Sequence, residues 1–172
     1  MIPIIETDRL LQRPLALTDS SFVIELLNSP GWLRYIGDRK VKTEQQAAEY
    51  LNKGPLKSYI EHSFGLSLVE RKADGAAVGM CGLIKRDFLE HPDIGFAFLP
   101  RFQGMGYAFE MANANLNDAT SRLGFDQVQA ITLAENANSI RLLEKLGFRW
   151  LKVIQYPDTR EELQLYHYHK TD

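Results

Sequence analysis

A single cysteine, Cys81, stands among the 172 residues. No disulfide can form within such a chain, so a cross-linked scaffold is excluded and a reducing compartment is expected. Long apolar runs are also missing. Nothing approaches the ~18 consecutive apolar residues that a membrane-crossing helix needs, and no membrane partner is expected. The opening MIPIIETDRL carries acids early and lacks the basic start and apolar stretch of a signal peptide, so a cytoplasmic protein is the expectation. Charge of one sign is lacking too. Lys and Arg number 20 against 22 Asp and Glu, a formal net charge of −2, which gives no electrostatic ground for a nucleic-acid partner. Repeats, low-complexity tracts and linkers are absent, so residues 1–172 read as one domain.

What remains is a chain punctuated by clear local signals. An extended segment, Glu6 to Leu15, precedes Thr18, which is expected to cap a helix that buries Phe22, Leu26 and Leu27 and stops near Ser29-Pro30-Gly31. Thr43 and Gln46 have the spacing of a capping box for a second helix, which Pro55 limits or restarts. Strands are expected over 64–69, 77–84 and 93–99, with Asp74-Gly75 turning the first pair into a hairpin. Along Asp93 to Leu99, Ile94, Phe96 and Phe98 share one face; Asp93, Gly95 and Ala97 share the other, slender face, which leaves room for a ligand. Ala108, Met111, Ala112, Asn115, Leu116, Ala119 and Leu123 recur at helical spacing, and Gly124-Phe125 supplies a stop. A strand over 128–133, a helix over 138–146 closed by Gly147-Phe148, and two strands near 150–155 and 163–169 complete the chain. Seven strands in the order β-α-α-β-β-β-α-β-α-β-β specify a mixed, mostly antiparallel sheet with helices on its faces, an α/β or α+β fold.

The stretch from Phe96 to Ala108 is the most informative. A strand ends at Pro100, a loop with Gly104 and Gly106 follows, and a long helix begins. A helix start offers unpaired N–H groups and the positive end of the helix dipole, which together suit a phosphate. Glycine lets the main chain approach a bulky anion closely. Tyr107-Ala108 after Gly106 is not the Lys-Ser/Thr of a nucleotide-triphosphate loop, and Phe109 stands where a dinucleotide fingerprint needs Gly or Ala. Arg101-x-x-Gly104-x-Gly106 resembles the pyrophosphate loop of the GCN5-related N-acetyltransferases, the GNAT family. Gln103-Gly104-Met105-Gly106-Tyr107-Ala108-Phe109-Glu110 is similar, more particularly, to the branch of the ribosomal-protein N-terminal acetyltransferases. So are Glu6 to Leu15, Asp93-Ile94-Gly95-Phe96 and Glu135 to Phe148.

That resemblance implies acetyl-CoA as cosubstrate and an amine acceptor, either a protein N-terminus or a small molecule such as an antibiotic, a polyamine or an amino-acid derivative. It implies a gap between two splayed parallel strands, Asp93–Leu99 and 128–133. The pantetheine arm would pair with backbone near Phe98 and Leu99. The pyrophosphate would rest on Arg101 and on the amides of Gln103, Gly104, Met105, Gly106, Tyr107 and Ala108. Asn136 and Ser139 would meet the pantetheine and thioester, unless Asn136 is simply a helix cap. Asp93 is the expected base, unless it only satisfies backbone at a strand start. The family's usual tyrosine acid falls at Leu143 here, which leaves Ser139, a water or no group for the thiolate. That loss keeps open a module that binds coenzyme A without turnover. Trp32 and Tyr35 either shape the acceptor pocket or pack in the core. Glu110 is expected to complement the helix dipole or form a structural pair. A homodimer is a further implication of the resemblance. From the residues alone, Cys81 is expected in the core. His167 and His169 lack a further ligand at suitable spacing, so no metal is expected.

Overall fold

The computed structural model describes residues 1–171. Its N-terminal extended segment forms two strands rather than one, β1 (Ile5–Glu6) and β2 (Leu10–Pro14). A tight turn, in which the Thr7 N–H donates to the Leu10 carbonyl at 2.9 Å, reverses the chain between them. Thr18 is not a helix cap. It lies within a 3-10 turn, Leu17–Asp19, that runs into α1 (Ser20–Leu27). Asp19, third in that turn, reaches back to close a capping box instead. Its carboxylate accepts from the Ala16 N–H at 2.8 Å and from both terminal nitrogens of Arg13 at 2.9 Å. Pro30 does more than end α1: it opens a short helix, α2 (Pro30–Tyr35), because its fixed φ suits a first helical position where an N–H is not required. The Thr43–Gln46 box caps α3 (Glu44–Lys53) in both directions, and Pro55 restarts the chain as α4 (Pro55–His62).

The hairpin of β3 (Leu66–Arg71) and β4 (Ala76–Ile84) turns through Asp74-Gly75, and β5 (Asp93–Phe98) follows. A 3-10 turn over Pro100–Phe102 and the glycine loop lead into α5 (Tyr107–Ser121). That helix stops at Gly124, where the Phe125 N–H reaches back to the Ala119 carbonyl at 3.0 Å. Then come β6 (Gln127–Thr132), α6 (Ala137–Lys145), β7 (Arg149–Gln155) and β8 (Glu162–His169). Among the described residues the strands form one eight-stranded sheet, β1-β2-β3-β4-β5-β6-β8-β7. Only β5 and β6 are parallel neighbours.

Register assigns the faces. Cys81 lies opposite Phe96, and the Asn115 amide nitrogen of α5 stands 3.5 Å from the Cys81 sulfur. Paired residues share a face, so the aromatic side of β5 lies under α5. Lys145 of α6 stands 4.1 Å above the Phe109 ring of α5, which puts α6 beside it. The opposite face carries Leu68, Met80 and Ala97 in one row and turns toward α1–α4. Cys81 sits fully buried in the core, and burial pushes its thiol up to about 12, so the nucleophilic thiolate is unavailable at neutral pH. The histidines at the end of β8 differ from each other, His169 being exposed. His167 is half-buried between the rings of His91 and His169, at 5.8 and 6.3 Å. No group of three or more His, Cys, Asp or Glu among the described residues is arranged to hold a metal ion.

The Asp19 cap carries a pH signature. Burial alone would raise its pKa, yet hydrogen bonds from Arg13 and Ala16 hold it below the usual carboxylate range. Its contribution is therefore present above about pH 4 and lost as pH falls through its folded value. We expect Asp19→Ala to cost about 1–2 kcal/mol at neutral pH. In urea titrations at about pH 7 and pH 3, the deficit should shrink at the lower pH.

Candidate functional site

The site begins where the sheet fails to close. Between β5 and β6 only Asp93 and Gln129 are in register. The Gln129 N–H donates to the Pro92 carbonyl at 2.9 Å, and beyond this point the strands part. On its other side β5 pairs with β4 along its whole length. The Leu99 N–H donates to the Val78 carbonyl at 2.9 Å, which makes Phe98 and Gly79 a non-hydrogen-bonded pair. Ladder bonds alternate in an antiparallel pair. The N–H and C=O groups of Phe96 and Phe98 therefore point away from β4, into the gap.

This corrects the expectation for Leu99. Its N–H is committed to Val78, its carbonyl accepts from the Phe102 N–H at 2.9 Å, and its side chain is buried. Phe96, which the sequence did not single out, presents the main chain in its place. Register, not residue type, decides which backbone groups face the gap, so only the β4 pairing reveals it. The Phe98 carbonyl accepts from the Gln103 side chain at 3.0 Å.

At the open end lies the glycine loop. Gly104 has φ 76° and Gly106, the residue before α5, has φ 80°. In that left-handed region a side chain is strained. No N–H from Gly104 to Phe109 donates to a protein acceptor among the described residues, and no side chain caps the helix. Six successive unpaired donors thus lie at the positive end of a fifteen-residue helix. Gly104, Gly106, Tyr107 and Ala108 line the same cleft as Gly95, Ala97, Asn136 and Ser139, a space of ≈ 1290 Å³. Arg101 and Met105 do not line it. Arg101 turns back to an ion pair with Glu25 of α1, and Met105 points outward, 45% exposed.

A family model described as an acetyltransferase (GNAT) domain matches residues 9–149. The chain belongs to the GNAT acetyltransferase family. It is 31% identical to the N-acetyltransferase YnaD of Bacillus subtilis (strain 168), over 84% of this chain and 82% of that one. It is 30% identical to YkkB of the same organism, over 87% of each. The GNAT acetyltransferase from Bacillus anthracis superposes with a TM-score of 0.79 at 25% identity, covering 97% and 98% of the chains. The fold is also that of the ribosomal-protein α-N-acetyltransferase RimL, solved with coenzyme A. That pair has a TM-score of 0.83 at 12% identity and coverages of 97% and 98%. A chimera of the spermidine N-acetyltransferase SpeG from Vibrio cholerae and hSSAT shares the fold too, with a TM-score of 0.76 at 18% identity and coverages of 94% and 96%. The chain is an acetyl-CoA-dependent acyltransferase by its family, and the fold alone does not select the acceptor.

In this acetyltransferase Asp93 sits at the closed end of the gap, 1% exposed yet lining the cleft. Both its carboxylate oxygens accept from Arg86 Nε, at 3.0 and 3.1 Å. Burial pushes its pKa up to about 6 against the opposing pull of Arg86. Arg86 escaped the sequence analysis, although the β4–β5 hairpin register, with Ile84 opposite Asp93, places it just beyond the paired residues. Asn136 caps α6, accepting from the Ser139 N–H at 3.2 Å. Leu143 is buried and supplies no hydroxyl. Trp32 and Tyr35 line the far end with Arg39 and Tyr50.

The raised Asp93 carries a sign opposite to that of Asp19. Folded protein holds this proton more tightly than unfolded chain, so the group's contribution is full below about pH 4 and is lost as pH rises through about 6. We expect Asp93→Asn to remove that fall. Urea titrations at about pH 4.5 and pH 7.5 should give a smaller stability difference for the variant than for the wild type; equal differences would refute the assignment.

Proposed function

We propose that this acetyltransferase transfers acetyl from acetyl-CoA to a primary amine, in a ternary complex, and that the amine is the α-amine of a polypeptide N-terminus. One observation carries the cosubstrate reading: the run of unpaired N–H groups from Gly104 to Phe109 lies beside a gap whose β5 edge offers the free main chain of Phe96 and the Phe98 N–H. A diphosphate would rest on the loop, held by the amides of Gly104, Gly106, Tyr107 and Ala108; the Gln103 N–H, expected among them, instead donates to the Pro100 carbonyl at 3.2 Å. The pantetheine amides would extend the β5 edge along Phe96 and Phe98 as an added strand does. Bound acetyl-CoA would supply a thioester whose carbonyl is open to attack.

The chain's own groups then divide the work. The amine must arrive neutral, and an α-amine with a pKa of about 7.7–8.0 needs less help than a lysine at about 10.4. Asp93, poised by burial near neutrality, is the proposed acceptor of the amine's proton, directly or through water. An N–H near Phe98, fixed by the sheet, would stabilise negative charge developing on the carbonyl oxygen. The new C–N bond forms as the C–S bond breaks, and the proton the nitrogen sheds on becoming an amide passes to the departing sulfur, through water or directly, leaving an amide and the thiol of coenzyme A. Ser139 is proposed to stand beside the sulfur.

Charge at the acceptor end favours a peptide over a polyamine. Glu49 and Glu61 are neutralised within their helices by Lys53 and Lys57, at 3.4 and 3.7 Å, and Asp93 by Arg86. Arg39 and Lys40 have no ion-pair partner among the described residues and line the cleft, outweighing Asp87, the lining carboxylate that is likewise without one. A polycation would meet surplus positive charge there.

Thiol release with a panel of amines tests the acceptor. Peptides with a free N-terminus should outpace spermidine and peptides whose only amine is a lysine; the reverse order would overturn it, and silence across the panel would favour a binding module. Gly104→Val should abolish acetyl-CoA binding in calorimetry, since a β-branched side chain at φ 76° both strains the loop and blocks its amides. Asp93→Asn should lower turnover at neutral pH and erase the rate's rise near pH 6, with cofactor affinity kept; an unaltered pH profile would take Asp93 out of the base role.

A further inference from the structure

The glycine loop is held from behind by two residues that lie 101 positions apart. Arg9, in the turn before β2, donates through Nη1 to the Met105 carbonyl at 2.9 Å. Its Nε and Nη2 both reach Glu110 Oε2 at 2.7 Å. The other Glu110 oxygen accepts from the Thr7 hydroxyl at 2.6 Å and from the Arg9 N–H at 3.0 Å. The guanidinium also lies 4.6 Å from the Tyr107 ring centroid, and a Cβ on Gly106 would stand 3.3 Å from Arg9 Nη2.

Two consequences follow. A trans peptide is planar, with its C=O and N–H pointing in opposite directions. Arg9 draws the Met105 carbonyl toward itself, so the Gly106 N–H of the same peptide must point the other way, among the free donors of the loop. Second, Glu110 lies in the first turn of α5, where an unbalanced carboxylate would oppose an incoming anion. Burial alone would raise its pKa, but hydrogen bonds from Thr7 and Arg9 hold it below the ordinary range, so it stays an anion and a firm partner for Arg9.

We propose that Arg9 and Glu110 are positioning residues for cosubstrate binding: the pair fixes the Met105–Gly106 peptide so that its N–H faces the diphosphate, and Arg9 cancels the charge Glu110 would otherwise present there. This rests on the loop being the diphosphate site. Arg9 acts from the back of the loop through the peptide, so geometry, not charge alone, sets its effect.

Calorimetry with coenzyme A and with pantetheine, which lacks the diphosphate, on folded Arg9→Ala, Arg9→Lys and Glu110→Gln proteins tests the assignment. Arg9→Ala should weaken coenzyme A by about tenfold or more, with pantetheine binding unchanged. In steady state the KM for acetyl-CoA should rise while kcat and the acceptor KM stay near wild type. Arg9→Lys keeps the charge but not the fork, and should recover only a part. Glu110→Gln, the milder variant, should show a smaller loss of the same kind. Full recovery by Arg9→Lys would overturn the orientation claim, as would equal losses for coenzyme A and pantetheine or unchanged binding in Arg9→Ala. If Gly104→Val lowers coenzyme A affinity while the Arg9 variants do not, this inference fails alone. If Gly104→Val leaves affinity intact, the loop reading beneath it fails as well.

Discussion

Everything functional in this chain depends on two parallel strands that touch at one place. Asp93 and Gln129 are the only residues in register between β5 and β6. The contact is reinforced on one side only: the Gln129 N–H bonds the Pro92 carbonyl, and its side-chain oxygen accepts from the His91 N–H at 3.2 Å. Past that hinge each strand follows its own partner, β5 with β4 and β6 with β8. A main-chain group without a partner is costly to bury, so an open seam inside a sheet is tolerated only where solvent or a ligand satisfies it. The gap is therefore both a defect in the ladder and the place where a strand-like molecule fits.

The two ends of that gap carry different chemistry because different things build them. At the open end the donors are main-chain amides, presented by two glycines with positive φ and by the start of α5. At the closed end stands a buried carboxylate against a partly buried guanidinium. Burial and the ion pair act on Asp93 in opposite directions, and the balance leaves its proton affinity close to neutrality. A solvated aspartate would be fully ionised and a weak base. Placing it beneath the point where the strands diverge raises its basicity while keeping it in contact with the cleft.

Local signals in the sequence were reliable where the physics is local. The Thr43–Gln46 box, the Gly124-Phe125 and Gly147-Phe148 stops and the Asp74-Gly75 turn all formed where their spacing placed them. The glycine loop was legible for the same reason, since a loop between a strand end and a helix start is a short-range motif. Thr18 stands inside the turn rather than before it, while Pro30 follows the end of α1 where its place predicts and also opens α2. Asp19 could reach both Ala16 and Arg13, which drew the cap away from Thr18. The split of β1 from β2 depended on a turn at Thr7 with no glycine to announce it. Arg86, though only seven residues from Asp93, and the main chain of Phe96 needed the β4–β5 register to be seen, and Arg9 needed a contact across a hundred residues, which no window of sequence contains.

That division explains what similarity to known proteins can and cannot carry here. A loop of free amides asks for little beyond two positions that tolerate positive φ, so its geometry sets few demands on the side chains around it. The fold itself is shared with proteins only 12–18% identical to this chain. The proposed acceptor end is lined by side chains of α2–α4 and the loop between α2 and α3, among them Trp32, Tyr35, Arg39 and Tyr50. Each of those positions can change charge or size without disturbing the sheet, because none supplies a ladder bond. Acceptor choice is thus written in residues that the fold leaves free to vary, and it has to be read from their charge and pairing rather than from kinship.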